Sequence, residues 1–414
     1  MKRAYEPERR VSVGDFRIDR NEILAINEVI AGGRISEWRK VKEFERDFAK
    51  YIGTKYCVAV SSGTAALITG LLALRYDERF PKARSGAKVI VSPITYISTV
   101  NAIVLAGFEP VFVDIDKRKF TLKTDQVKKA IKEHGKESIA GIMPVHLMGY
   151  PNDMIELNEI AKNNELFLFE DSAQAHGSVY KGKKTGSLGL LAGFSFYIAH
   201  NIQAGELGCI TTDDLELYKV MSQLKANGRV CNCPVCTRSK GVCPGAKKYS
   251  YDENDDYDPR FTHEYITYNF KTMEFPAALG IFQVKKADWI FNKRQENVKY
   301  LNKRLRGLKD FLYLPVYNKN ISYLAYPLLI KEGANINRKH LREKLENRGI
   351  ENRPLFGCIP TQQPCYEYLK NIYNDKLPVA NYIGKNAFYI GCHQYLEKDD
   401  LDYIIKVFRD IFNK

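Results

Sequence analysis

Short, almost wholly apolar runs alternate with helical spacing along the first two hundred residues, and this alternation limits the fold more than any other property of the chain. The runs at 57–60, 88–92, 110–114, 139–145, 166–169 and 192–197 are Val-, Ile- and Phe-rich and do not alternate polar with apolar. Such runs are strands buried on both faces. Between and before them, residues 19–32, 37–51, 61–74, 98–106 and 153–163 carry apolar side chains at helical intervals. Strands alternating with helices imply a mostly parallel sheet with helices on both faces, the α/β class. At 414 residues the chain is long enough for two domains. We divide it into a large domain, 1–290, and a smaller C-terminal α+β domain, 291–414. Helical spacing at 271–293 leads into the second, which has a strand at 323–330, a helix at 338–348 and a loop at 352–357.

Composition narrows the class. Apolar residues make up 45% and charged residues 27% of the chain, as in a soluble globular protein. The longest apolar stretch, 89–113, is interrupted by Pro93, Asn101, Gly107 and Pro110 and cannot span a membrane. No leader-like segment opens the sequence, so a cytoplasmic protein is expected. The formal net charge of +14 comes from lysines interspersed with acids. That pattern is a solvated surface that weakly steers anions and not a nucleic-acid-binding block.

The chemistry concentrates at strand ends, where open α/β sheets bind ligands. Ser-Ser-Gly-Thr-Ala-Ala at 61–66 joins a strand to a helix, so backbone N–H groups near Gly63, Thr64 and Ala65 can face an anion with the helix dipole behind them. An ordinary helix cap by Ser62 or Thr64 reads equally well. Tyr96 follows the strand at 88–92 and can cover a flat ligand or simply pack. Asp171 stands at the lip of the sheet, with Gln174 three residues on, and a carboxylate there needs a cationic or hydrogen-bonding partner. Phe194-Ser-Phe-Tyr197 enters a polar turn carrying His200 and closing on Gly205 and Gly208.

These segments, with Glu-Asp-Ser-Ala-Gln-Ala-His-Gly at 170–177, occur in an order and spacing that resembles the DegT/DnrJ/EryC1/StrS sugar aminotransferases, pyridoxal-phosphate enzymes of the aspartate-aminotransferase fold (fold type I). The resemblance runs from about Phe16 to the C-terminus. It implies that Gly63, Thr64 and Ser195 bind the cofactor phosphate, that Tyr96 stacks on the pyridine ring, that Asp171 pairs with the ring nitrogen and that Gln174 meets the ring hydroxyl. A buried anion beside the ring nitrogen keeps the ring an electron sink. Asn269, in Tyr-Asn-Phe-Lys-Thr-Met at 268–273, resembles a residue that reaches the phosphate of a neighbouring subunit, which implies a homodimer with shared sites. Arg353 resembles a position at the site entrance, where it meets substrate phosphate or carboxylate.

The departure from the family is informative. Aminotransferases place lysine where this chain has His200, in Phe-Ser-Phe-Tyr-x-x-Lys. Imidazole cannot form the lysine's Schiff base, but it can move a proton near neutral pH. The combination resembles the 3-dehydratases of nucleotide-linked 4-keto-6-deoxy sugars. It implies untethered pyridoxamine 5'-phosphate condensing with the 4-keto group, His200 taking a proton, and loss of the C3 hydroxyl. A second departure is Gly-Glu-Leu-Gly at 205–208, where the family has Gly-Glu-Gly-Gly, so Leu207 places the turn geometry in question.

Residues 228–263 read as an inserted loop with four of the nine cysteines, Cys231, Cys233, Cys236 and Cys243. Clustered thiolates in a cytosolic chain indicate a metal site. Zinc and an iron–sulfur cluster both suit it. One dehydratase branch carries a [2Fe-2S] cluster in such an insertion and takes electrons from a reductase. That branch has cysteines where this chain has Ser172 and Ala173. The acidic run 252–258 reads as solvated loop. Cys57, Cys209, Cys358, Cys365 and Cys392 read as packing residues. Two other functions remain in view: a nucleotide-sugar aminotransferase using another lysine, and a non-catalytic, zinc-stabilised binding protein.

Overall fold

The protein is described from a computed structural model, over residues 9–231 and 261–414. Helix α1 (Arg20–Ala31) starts at Asp19, whose side chain accepts from the Asn21 N–H while Glu22 returns to the Asp19 N–H. This reciprocal cap satisfies donors that the first turn leaves open. The helix buries Glu22, Ala25 and Val29, whereas Ile23, Leu24 and Ile30 face outward, 53%, 49% and 59% exposed. The expected apolar face of this helix is therefore not its inner face within one chain. Small residues permit close approach to Ala278, and the Glu22 carboxylate is held by Gln283 and Lys286 at 2.8 and 2.6 Å. Helix α2 (Arg39–Ile52) behaves as its spacing predicts, with Val41, Phe44 and Phe48 fully buried. Its opening N–H groups, at Trp38, Lys40 and Val41, donate to the carboxylate of Glu274.

Strand and helix then alternate as the sequence requires: β1 (Tyr56–Val60), α3 (Gly63–Tyr76), β2 (Lys88–Val91), α4 (Ile97–Leu105), β3 (Glu109–Phe112), α5 (Thr124–His134), β4 (Ile139–Met143), α6 (Met154–Asn163) and β5 (Phe167–Asp171). A short hairpin, β6 (Val179–Tyr180) and β7 (Lys183–Lys184), precedes β8 (Leu191–Ser195), β9 (Gly208–Thr212) and α7 (Leu215–Leu224). Seven strands form one sheet in the order β1-β9-β8-β5-β4-β2-β3. All neighbours run parallel except β9, which is antiparallel to both β1 and β8. The carboxyl ends of β1, β2, β5 and β8 thus share one edge. The α/β fold expected from the sequence is the fold observed. The antiparallel β9 was not expected: three of the five residues of Gly208–Thr212 are Gly or Thr, so it lacks the continuous apolar signature of the parallel strands.

The helical spacing at 271–293 resolves into two helices, α8 (Glu274–Lys285) and α9 (Ala287–Arg304). Beyond them β10 (Leu312–Tyr313), β11 (Tyr326–Ile330), α10 (Arg338–Asn347), β12 (Asn352–Pro354) and β13 (Ala387–Ile390) lead to the C-terminal helix Lys398–Phe412. The four strands form an antiparallel sheet in the order β10-β11-β13-β12. Residue 290, drawn as the edge of the large domain, falls inside α9. Phe291 on that helix packs with Phe44 and Phe194, while Val298 and Leu301 join a core containing Tyr326 and Phe408. The N-terminal segment also crosses over: Val11 exchanges backbone hydrogen bonds with Gly349 and Glu351, and Arg9 pairs with Asp400. Cys57, Cys209, Cys358 and Cys392 are buried, as packing residues should be, but Cys365 is exposed. Among the described residues no helix is long and apolar enough to cross a membrane.

Candidate active site

The turn after β1 serves both purposes the sequence allowed. Ser62 caps α3, its hydroxyl accepting from the Ala65 N–H at 3.1 Å, so Ala65 is not available to a ligand. Among the described residues the N–H groups of Gly63 and Thr64 donate to no protein group. They sit at the positive end of a 14-residue helix. The Thr64 hydroxyl donates to Ser98 at 2.7 Å. Gly63 lies so close to β8 that a Cβ there would meet the Ser195 Cβ at 2.5 Å. Glycine is required because two backbones converge on one ligand-sized space.

Asp171 ends β5, one residue inside the strand and not beyond it. One carboxylate oxygen accepts from the Thr99 hydroxyl at 2.7 Å and the other from the Ala173 N–H at 3.1 Å. Thr95 supports Thr99 from the preceding turn at 2.7 Å. Burial pushes the Asp171 carboxyl above its ordinary pKa, and among the described residues no cation pairs with it. Gln174 accepts from the Met148 N–H at 3.0 Å, which leaves its amide nitrogen for the cavity. Tyr96 precedes α4, is 59% exposed, and stands 5.8 Å from the ring of Phe356.

His200 lies in the turn between β8 and β9, its N–H bonded to the Tyr197 carbonyl. Its Nδ1 is buried with no hydrogen-bond partner among the described residues. Burial pushes the imidazole down to about 4, so it is neutral at pH 7. Leu207 closes this turn without distortion. It is 1% exposed, packs in the cluster of Phe44 and Phe196, and its carbonyl accepts from the Phe196 N–H. The doubt over Gly-Glu-Leu-Gly is resolved by an apolar contact available to a leucine.

These groups meet around one cavity of about 420 Å³. Gly63, Thr64, Tyr96, Asp171, Gln174, Ser195, His200 and Arg353 all line it, and among the described residues no lysine does. Arg353 is on edge strand β12, not in a loop, and is held by Glu351 at 2.9 Å. Asn269 does not line the cavity; it is exposed and bridges Ala226. Of the cysteine group, Cys233, Cys236 and Cys243 lie outside the described residues, and Cys231 is half-buried and free. Among the described residues no group of three or more His, Cys, Asp or Glu side chains is placed to hold a metal. Sequence reasoning missed Thr99, Phe356, Tyr389 and Glu206. Only Thr99 left a signal, since it lies one helical turn from Tyr96.

The donor set matches a phosphorylated pyridine. Two open N–H groups and a serine hydroxyl meet at a helix start, a buried carboxylate awaits a cation, and an amide is free for a ring hydroxyl. A family model described as the DegT/DnrJ/EryC1/StrS aminotransferase family matches residues 17–409. GDP-4-keto-6-deoxy-D-mannose 3-dehydratase of Escherichia coli O55:H7 is 30% identical over 391 residues, 94% of this chain and 96% of that protein. dTDP-4-dehydro-2,6-dideoxy-D-glucose 3-dehydratase of Saccharopolyspora spinosa is 31% identical over 400 residues, 94% of this chain and 84% of that protein. The solved structure of the E. coli GDP-4-keto-6-deoxy-D-mannose-3-dehydratase with bound hydrated PLP superposes with a TM-score of 0.84 at 28% identity, covering 96% of this chain and 98% of that one.

Proposed function

The chain belongs to the DegT/DnrJ/EryC1/StrS aminotransferase family, and from that premise we propose that it is a pyridoxamine-phosphate-dependent dehydratase removing the C3 hydroxyl of a nucleotide-linked 4-keto-6-deoxy sugar. The observation that carries this reading is that His200, and among the described residues no lysine, lines the cavity at the end of Phe-Ser-Phe-Tyr-x-x. The relatives named 3-dehydratases support it. The buried lysine among the described residues, Lys225, is tied to Glu37 at 2.8 Å, Glu45 at 3.2 Å and the Ala59 carbonyl at 3.0 Å.

In this reading the Gly63 and Thr64 N–H groups and the Ser195 hydroxyl hold the cofactor phosphate. Tyr96 covers the ring, Asp171 holds the protonated ring nitrogen and Gln174 donates to the ring hydroxyl. When bound, the cofactor supplies an amine for the sugar ketone and an electron sink. His200 has Nδ1 buried, so Nε2 is the atom that takes the proton, and a neutral imidazole is ready to accept it. Arg353 is half-exposed beside Glu351 and can exchange that carboxylate for the substrate diphosphate.

We extend the reading to the assembly. Asn269 lies outside its own cavity, beside the exposed Tyr268 and Met273, and the outward stripe of α1 is apolar. A homodimer would cover these surfaces and bring Asn269 to the partner's phosphate site. The six described cysteines are free, which suits the reducing cytoplasm. The spacing of Cys231, Cys233, Cys236 and Cys243 provides four thiolates for an iron–sulfur cluster or zinc, and a cluster would need a reductase as electron donor.

Borohydride reduction followed by peptide mapping tests the core of this reading. No lysine should carry cofactor, and His200→Asn should abolish loss of the C3 hydroxyl while retaining cofactor. A cofactor-labelled lysine would overturn it in favour of an aminotransferase. Iron, zinc and acid-labile sulfide assays separate the two metals. About two irons and two sulfides per chain identify a cluster, whereas zinc without sulfide removes the electron-transfer route.

A further inference from the structure

His176 is fully buried among Phe48, Phe194 and Phe196, with ring centroids 6.3, 5.3 and 5.1 Å away. A fourth apolar ring would fill this space as well. Among the described residues neither nitrogen of His176, nor Nδ1 of His200, makes a hydrogen bond of full geometry to a protein group. Leaving such groups unpaired is destabilising, so a histidine here needs a polar task. The two imidazoles are 6.3 Å apart between centroids and tilted by 46°. They make no direct bond, which would need about 2.9 Å between heavy atoms, but one water can span them. The Ser195 carbonyl approaches both rings and favours their protonated forms. Two imidazole nitrogens and one carbonyl supply the two to four partners that a buried water requires.

We propose that His176 is a positioning residue for His200, joined to it through one buried water, and that this link holds the Nδ1–H tautomer of His200 so that Nε2 presents a lone pair to the cavity. The partner of one imidazole nitrogen decides what the other can do. Around His176 the charged and titratable groups are Arg294 from α9, Tyr51 from α2 beside Gly177, and His200. Burial keeps both rings neutral, and at His176 the nearby Arg294 guanidinium, 1% exposed, further opposes a second positive charge. A neutral imidazole has one donor and one acceptor, which is what a tautomer-setting link requires. The catalytic consequence rests on His200 being the base; the link itself does not.

Spectra of the holoprotein with 15N-labelled histidine rings, with His200 assigned through His200→Asn, test the link without turnover. The parent should show His200 with a protonated Nδ1 and a bare Nε2. His176→Phe should shift His200 toward the Nε2–H form favoured in water, and His176→Gln, which keeps a donor and an acceptor, should retain the parent pattern. If His176→Phe does not fold, His176→Leu replaces it. A parent His200 in the Nε2–H form, or an unchanged His200 in both apolar variants, overturns the proposal. With the tautomer altered, kcat should fall about tenfold at unchanged KM. An altered tautomer with unchanged kcat leaves the link standing and removes His200 as the base.

Discussion

The carboxylate of Asp171 accepts a 2.7 Å hydrogen bond from the hydroxyl of Thr99, a residue on the helix that follows Tyr96. This bond ties the acid at the end of β5 to the turn that carries Tyr96. Asp171→Asn removes the anion and should lower kcat at least about a hundredfold, with weaker cofactor retention read from the visible absorbance. Thr99→Val keeps the anion and should cost less. Equal losses in both variants would show that the charge is not what matters.

Gly63 gives a steric prediction. Its missing Cβ would stand 2.5 Å from the Ser195 Cβ, so Gly63→Ala must push β8 and the α3 N-terminus apart. Cofactor affinity should drop at least tenfold while the far-ultraviolet dichroism stays native. Adding Ser195→Gly should recover part of the affinity, and failure to recover any would place the damage elsewhere.

Histidines whose charged form burial disfavours set the acid side of stability. Burial pushes His200 and His393 down to about 4 and lowers His176 well below its ordinary value. Unfolded histidine titrates near ~6.5. Between those values the unfolded chain binds protons that the folded chain refuses, so stability rises with pH there. The contribution is complete above pH ~6.5 and is lost as pH falls toward 4. Tm should therefore fall from pH 7.5 to pH 5, and His393→Asn should reduce the drop. A Tm flat over this interval would contradict the burial argument.

Glu274 caps a helix from a distance. Its carboxylate, 2% exposed, accepts from Trp38, Lys40 and Val41 at 2.7, 2.8 and 3.1 Å. Glu274→Ala leaves three donors open at the start of α2 and should cost about 2 kcal/mol or more. The urea midpoint should fall with an unchanged m value.

The outward stripe of α1 bears on the proposed homodimer. Ile30 is 59% exposed in the single chain. Ile30→Glu should convert the protein to a monomer in sedimentation experiments and leave its secondary structure intact. A monomeric parent would remove the shared-site reading of Asn269.

The sequence by itself determined the alternation of strand and helix, because continuous apolar runs bounded by turns have few other outcomes. It also determined the chemistry of His200, since imidazole in place of an amine changes what the position can do wherever it sits. Tertiary structure decided the rest. Which side of α1 faces inward depends on Glu22 meeting Lys286 across 264 positions of sequence, a pairing that no local period encodes. Leu207 fits its turn because Phe44 and Phe196 happen to be beside it. The supports of the site, Thr99 under Asp171 and Met148 under Gln174, come from different elements. Their roles exist only once the sheet edge brings them within hydrogen-bonding reach.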